Sequence, residues 1–220
     1  MRRRQFTIFF SVVLFLELIG CIFSEYQSIR YITKPAITIS LLSYLFMQQN
    51  MNPRIKKFLA LGLFFSLLGD ILLMFTDKSQ LYFMLGLFSF LIAHIMYISA
   101  FYKKRIFQNK SITFFIIALA IYAGGVLYFI GPKLGALLPY VLAYMFVILL
   151  LGLVALLRRP ISKPNSYQLF LIGAISFIFS DTLLAFNKFH SHFFMSAALI
   201  MLTYGLAQIL ILYAGITETD

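Results

Sequence analysis

Charged residues are scarce in this sequence. They make up 11% of its 220 residues, whereas a soluble domain carries about 25%. The 26 Phe and 13 Tyr residues outnumber the 18 basic and 7 acidic side chains taken together. This composition excludes a soluble globular enzyme, a disordered chain and a nucleic-acid-binding domain. Mean hydropathy is +0.94, which indicates an integral membrane protein.

Cysteine is also nearly absent. Cys21 is the single copy, and one thiol excludes both a disulfide framework and a cysteine-based metal cluster. The three histidines, His94, His190 and His192, do not show the spacing of a ligand set. We therefore expect no metal and no other cofactor.

Long apolar runs fill the chain instead. Four stretches, at 79–102, 111–132, 134–157 and 189–217, contain no Asp, Glu, Lys or Arg, and ~20 apolar residues suffice to span a bilayer. Four further runs hold one ionisable residue each, namely Glu17, Lys34, Asp70 and Asp181. We predict an all-α membrane protein with one domain, 1–220, and eight transmembrane helices, at about 6–23, 29–47, 58–75, 81–102, 112–130, 137–157, 167–186 and 193–215.

The basic residues predict how these helices are oriented. One side of the predicted topology carries 13 Lys and Arg: Arg2, Arg3, Arg4, Arg54, Lys56, Lys57, Lys103, Lys104, Arg105, Lys110, Arg158, Arg159 and Lys163. The other side carries 4: Arg30, Lys78, Lys133 and Lys188. Cytoplasmic loops are enriched in Lys and Arg. We therefore expect a multi-pass protein of the cell membrane with both termini in the cytoplasm.

This topology places the four buried charges at one depth. Glu17, Lys34, Asp70 and Asp181 each lie about 5–7 residues, or ~8–10 Å, below the outer surface. Each costs about 2.5–3.5 kcal/mol to insert, so we expect them to face the bundle interior and to pair. A salt-bridge staple between helices is the alternative, but three carboxylates and one lysine do not match in sign.

The sequence also contains a weak internal repeat. Asp70 and Asp181 each begin the pattern Asp-x-Leu-Leu-x-Phe, 111 residues apart, and Gly62 matches Gly173 at the same offset. The match suggests two pseudo-repeated four-helix halves related by an axis along the membrane normal. The two aspartates would then face each other across a central cavity. Chance is the rival explanation, because Leu and Phe are abundant.

Further polar residues share helix faces with these charges. Residues three or four positions apart lie on one face of a helix, and a lone membrane His or Tyr is otherwise a packing contact. Lys34 precedes Pro35, which weakens the helix at that point. It could bind a phosphate or act as the counter-ion of an aspartate. The candidate binding residues are Lys34, Ser66, His94, Tyr97, Tyr140 with Tyr144 one turn later, Ser180, Tyr204 and Gln208.

Several of these segments resemble a known family. They are Gly62-Leu-Phe-Phe-Ser66-Leu-Leu-Gly-Asp70, the run Gly86…Phe90…Ala93-His94…Tyr97, the run Gly173-Ala-Ile-Ser-Phe177…Ser180-Asp181…Leu184-Ala185-Phe186, and Thr203-Tyr204…Gln208, preceded by Lys34-Pro35. In this order they are similar to the YhhN family, which includes the lysoplasmalogenases. The resemblance implies an eight-helix hydrolase that cleaves the vinyl ether bond of lysoplasmalogens into a fatty aldehyde and glycerophosphoethanolamine or glycerophosphocholine. It also implies that Asp70 and Asp181 are the catalytic pair.

The chemistry of the residues fits this activity. Protonation of a vinyl ether at carbon gives an oxocarbenium ion that water attacks, and two aspartates in an apolar cavity that share one proton could supply an acid and a stabilising anion. A metal site of Asp70, Asp181 and His94 is one alternative. A proton-coupled transporter of small molecules or lipids is the other, although carriers place their sites near the midplane. The expected partners are a lysophospholipid and the bilayer, with no nucleic acid.

Overall fold

The computed structural model describes residues 2–103 and 112–219, and these form eight α-helices without any β-strand. The helices are α1 (Arg3–Ile22), α2 (Arg30–Met47), α3 (Pro53–Leu73), α4 (Gln80–Phe101), α5 (Ile112–Ile130), α6 (Leu138–Leu157), α7 (Pro164–Phe189) and α8 (Ser196–Thr219). Short 3-10 turns complete several of the connections, such as Ser24–Ile29 between α1 and α2. The all-α prediction is confirmed.

Six of the helices in the described part of the chain are long and apolar enough to cross a membrane: α1, α4, α5, α6, α7 and α8. The chain is therefore a multi-pass membrane protein. The other two, α2 and α3, are not among these six: α2 contains Arg30 and Lys34 within 18 residues, and α3 contains a basic first turn and Asp70. Both helices bring charged groups to the site described below, as does α7 with Asp181.

Helix α3 shows why the observed bounds differ from the apolar runs. It begins at Pro53, five residues before the predicted span, because Asn52 caps its N-terminus by accepting hydrogen bonds from the amides of Arg54 (3.0 Å) and Ile55 (3.4 Å). Proline is well suited to a first helical position since it has no amide hydrogen to satisfy there. Apolar content thus marks the membrane-facing part of a helix, while the cap sets where the helix begins.

Two helix pairs make the most extensive contacts, α7 with α8 and α3 with α4. Helix α2 packs between α1 and α3, α6 packs against α4 and α7, and α1 also contacts α8. Helix α5 lies at the edge of the bundle against α6 and α7, and it buries only Val126 and Ile130. The polar residues of the bundle therefore come together among the other seven helices.

The bundle has two distinct ends. We call the end where α1, α3, α5 and α7 finish the cavity end, and the opposite end the basic end. At the basic end Arg158 is fully buried, with Nη2 donating to Glu218 Oε2 at 3.0 Å, and Lys103 Nζ lies 2.5 Å from Glu218 Oε1. Burial lowers the pKa of Arg158 to about 10, so it stays protonated at neutral pH. Of the basic residues counted above, Lys104, Arg105 and Lys110 lie outside the described residues.

Candidate functional site

A cavity of about 370 Å³ opens at the cavity end of the bundle. Its lining side chains come from α2, α3, α4, α7 and α8 and from the connections between these helices. Five of the residues singled out in the sequence are among them: Lys34, Asp70, Ser180, Asp181 and Tyr204. The fold therefore brings both aspartates, 111 positions apart, to one cavity.

Asp70 is buried close to the end of α3, with donors from two other helices. Its Oδ2 accepts hydrogen bonds from Tyr204 Oη at 2.6 Å and from Thr38 Oγ1 at 2.9 Å. Lys34 Nζ lies 4.0 Å from Oδ1. Thr38 follows Lys34 by one helical turn on α2, so both side chains point to the same carboxylate. Two hydroxyl donors and an ammonium group stabilise a carboxylate anion.

A chain of hydrogen bonds extends from Asp70 into the core. Gln208 Nε2 donates to Tyr204 Oη at 3.0 Å, and Tyr97 Oη donates to Gln208 Oε1 at 2.7 Å. Ser66 Oγ lies 3.2 Å from Tyr97 Oη. These three predicted binding residues, Ser66, Tyr97 and Gln208, do not line the cavity, but they fix the orientation of Tyr204 and through it that of Asp70.

Gly62 makes room for this chain. A Cβ atom at Gly62 would lie 2.3 Å from Cε1 of the Tyr97 ring, which is far inside van der Waals contact. Helices α3 and α4 can therefore approach closely enough for Ser66 and Tyr97 to form a hydrogen bond. Packing against Tyr97 thus explains the glycine at position 62, which the internal repeat matches with Gly173.

Asp181 has fewer partners than Asp70. Tyr144 Oη, from α6, donates to Asp181 Oδ2 at 2.5 Å, and His94 Nε2, from α4, lies 4.0 Å from the same oxygen. No Lys or Arg of the described ranges forms an ion pair with Asp181. Its side chain is 16% exposed, against 2% for Asp70.

His94 is buried without a hydrogen-bond partner. Neither ring nitrogen bonds to any residue of the described chain, and the ring lies edge-on to Phe177 (centroids 4.8 Å apart) and Tyr144 (5.5 Å). Buried polar groups are normally hydrogen-bonded, and exceptions are frequent at functional positions. Asp181 Oδ2, which could accept or supply a proton, lies 4.0 Å from its Nε2.

Some residues lie elsewhere than the sequence suggested, and others were missed. Tyr140 is 53% exposed and does not line the cavity, whereas Tyr144, one turn later on α6, bonds Asp181. Thr38 was missed, although its spacing from Lys34 could have revealed it. Glu17 does not join the aspartates: Arg30 Nε lies 3.0 Å from its Oε1, and Thr33 Oγ1 donates to its Oε2 at 2.5 Å.

The arrangement does not assemble a metal site. Within the residues that the structure describes, no three His, Cys, Asp or Glu side chains lie close enough together to hold an ion. The alternative set of Asp70, Asp181 and His94 is therefore not formed. The chemistry that the cavity offers is proton transfer by two carboxylates in different surroundings.

Comparisons with known proteins agree on one family. The model of the YhhN family matches residues 29–215. Lysoplasmalogenase TMEM86A of Bos taurus is 31% identical over 163 residues, which cover 72% of this chain and 65% of the relative, and the Homo sapiens protein of the same name matches equally. This chain thus spans slightly less than two thirds of the length of these relatives. No solved structure matches.

Proposed function

The chain belongs to the YhhN family, and from this premise we propose that it is a membrane hydrolase that cleaves the vinyl ether bond of lysoplasmalogens. One structural observation carries the proposal: the two aspartates named by the resemblance line a single cavity, and each has partners that suit a different half of an acid–base reaction. Two relatives are lysoplasmalogenases by name. The cavity volume of about 370 Å³ lies within the ~300–1,000 Å³ typical of ligand pockets.

Asp181 is the acid in this proposal. Within the described residues it has one hydroxyl donor and no ion-paired Lys or Arg, so it is the carboxyl group that more readily keeps a proton inside the bundle. It transfers this proton to the distal alkene carbon of the vinyl ether. The C=C pair of electrons forms the new C–H bond, and the ether oxygen shares its lone pair to give an oxocarbenium ion.

Asp70 is the anion that completes the reaction. Its carboxylate, held by Thr38, Tyr204 and Lys34, stabilises the cation and takes a proton from the attacking water, which forms a hemiacetal. The hemiacetal hydroxyl then returns a proton to Asp181, while Asp70 gives its proton to the leaving glycerol oxygen. The products are one aldehyde and one glycerophospho-alcohol, and both carboxyl groups recover their initial states.

Product analysis with purified protein tests this function. A 1-alkenyl lysophospholipid should yield aldehyde and glycerophospho-alcohol in equal amounts, and hydrolysis in D₂O should place one deuterium on the carbon next to the aldehyde. A saturated 1-alkyl lysophospholipid is the matched control, since it has no alkene to protonate. Turnover should fall on the alkaline side, because the acid must hold its proton. Aldehyde without deuterium would exclude protonation at carbon, and no products at all would favour the transporter alternative.

We further propose eight membrane spans with both termini in the cytoplasm, so that the cavity opens to the outer leaflet. The 13-to-4 distribution of basic residues supports this orientation, and the cavity end carries the smaller number. In a Cys21→Ala background, an impermeant thiol reagent added outside should label a cysteine placed at Lys133 and spare one placed at Lys57. The reverse labelling would invert the topology and place the cavity at the inner leaflet.

A further inference from the structure

Two separate cavities border Asp181. One is the polar cavity described above. The second, which we call the slot, has a volume of about 50 Å³ and lies between α5, α6 and α7, where Val126, Val141, Tyr144, Ile148, Ile178 and Asp181 line it. Asp181 lines both spaces and is the residue that their linings share. The remaining slot residues are apolar apart from the hydroxyl groups of Tyr122, Tyr144 and Thr182.

We propose that the slot holds the first carbons of the substrate's hydrocarbon chain and directs the rest of that chain into the bilayer between α5 and its neighbours. This inference rests on the proposed function. A lysolipid with its reacting bond beside Asp181 has a polar part and an apolar part on opposite sides of that bond. The polar cavity and the slot offer matching surroundings on opposite sides of the same carboxyl group.

The size of the slot limits what it encloses. Its volume of about 50 Å³ is well below the ~300–1,000 Å³ of a pocket that encloses a whole ligand. It therefore surrounds only the carbons next to the ether, and the remaining chain must continue between helices into lipid. Helix α5 permits this because it buries only Val126 and Ile130. The hydrogen bond between Tyr122 and Thr182 ties α5 to α7 beside the slot.

A larger apolar groove elsewhere is the rival site for the chain. It has a volume of about 480 Å³ and lies between α1 and α2, where Phe6, Ile39, Tyr44 and Met47 are among its lining residues. It shares no lining residue with the polar cavity. A chain in that groove would leave the reacting bond remote from Asp181, so the slot is the better fit despite its smaller volume.

Narrowing the slot tests the proposal through chain length. Val141→Phe should lower kcat/KM for a sixteen-carbon 1-alkenyl lysolipid at least about tenfold more than for a 1-vinyl analogue, whose two carbons end at the alkene and do not enter the slot, because hydrophobic pockets discriminate by about tenfold or more per misplaced group. Leu142→Phe is the matched control, since Leu142 is the next residue on α6 and is 41% exposed. An equal loss on both substrates, or the same chain-length effect in the control, would overturn the proposal.

A second variant covers the case in which Val141→Phe does not fold. Val126→Phe narrows the slot from α5, and Ile121→Phe, at a position that is 71% exposed on the same helix, is its control. The same chain-length dependence is expected of Val126→Phe alone. An equal loss of kcat/KM on both substrates would again overturn the proposal.

Photo-crosslinking tests the slot independently of the proposed function, because labelling does not require the probe to be hydrolysed. The probe is a saturated 1-alkyl lysophospholipid with a diazirine on the fourth chain carbon. We expect it to label peptides of α5, α6 or α7 in the purified protein and to label them less in Val141→Phe. Labelling of α1 and α2 instead, or labelling that Val141→Phe leaves unchanged, would overturn the slot. Failure of the unmodified protein to cleave any 1-alkenyl lysolipid would overturn the proposed function while leaving the crosslinking result valid.

Discussion

The surroundings of Asp70 and those of Asp181 differ although the two residues line the same cavity. One oxygen of Asp70 accepts two hydroxyl hydrogen bonds while its other oxygen faces an ammonium group. Among the described residues, Asp181 accepts a single hydroxyl hydrogen bond, and the imidazole of His94 that it faces forms no hydrogen bond. Identical side chains thus acquire different chemistry from their neighbours, and this difference is the reason for assigning the anion to Asp70 and the acid to Asp181.

The helices that contact the two aspartates also follow a regular pattern. Asp70 on α3 is contacted from α2 and α8, whereas Asp181 on α7 is contacted from α6 and α4. If α1–α4 and α5–α8 are the two repeated halves, α2 corresponds to α6 and α4 corresponds to α8. Each aspartate therefore has one partner from its own half and one from the other half. Two repeats packed face to face would give this arrangement, and the repeat itself stays a prediction.

Removing either carboxyl group should have the largest effect. Asp181→Asn and Asp70→Asn should each lower kcat by about 10³-fold or more, because general acid–base groups contribute about 10²–10⁴-fold. The double variant should be no slower than the worse single one, since residues that act as a unit are non-additive. Glu25→Gln, at an exposed position outside the cavity, is the control. Full activity of either folded Asn variant would remove the pair from the mechanism.

Removing the hydroxyl of Tyr144 should lower kcat more than removing that of Tyr204, because Asp181 has one hydroxyl donor among the described residues and Asp70 has two. Tyr144→Phe removes the hydroxyl donor that stabilises Asp181 as it becomes an anion during proton transfer, and it should lower kcat by about 10–100-fold, since a hydrogen bond to a charged group contributes about 1.5–3 kcal/mol. Tyr204→Phe leaves Thr38 on Asp70 and should cost less than about tenfold. Steady-state kinetics of both variants with one substrate measures this. Equal losses would mean that the two surroundings are equivalent.

Lys34 places a cation near Asp70, whereas no Lys or Arg of the described residues forms an ion pair with Asp181. At 4.0 Å from Asp70 its ammonium group should act on turnover, so Lys34→Met should lower kcat by roughly tenfold and change the pH dependence of kcat, with KM nearly unchanged. Phosphate binding, the other role predicted for Lys34, would instead raise KM for phosphate-bearing substrates and leave the pH dependence intact. Lys34→Arg should rescue most of the activity in the first case.

Glu17 is a third buried carboxyl group, and its role can be compared with those of Asp70 and Asp181. It is fully buried, but Arg30 and Thr33 already hold both of its oxygens, so we expect a structural role. Breaking a buried ion pair costs about 3–5 kcal/mol, and partial exposure of Arg30 at 26% reduces this to about 1–2 kcal/mol. Glu17→Gln should lower the melting temperature in detergent while kcat falls less than about threefold. A large loss of kcat without a change in stability would make Glu17 a third member of the site.

Patterns along the chain were sufficient to predict that several of the charged residues come together. Each ionisable residue within an apolar run is costly, and the loop-by-loop charge count assigned Glu17, Lys34, Asp70 and Asp181 to one end of the bundle. The structure places Lys34, Asp70 and Asp181 at one cavity. Helical spacing also predicted the faces of Ser66, Tyr97, Tyr204 and Gln208, because positions three or four apart adjoin on any helix.

The sequence alone thus determined the all-helical class and the membrane environment, since these depend on composition and on periodicity within a single helix. Only the tertiary structure decided which groups meet across helices: Tyr144 rather than Tyr140 on Asp181, Arg30 on Glu17, Thr38 on Asp70. Such pairings depend on how helices rotate and approach one another. Small contacts such as that of Gly62 with the Tyr97 ring set this packing, and no repeat within a single helix encodes it.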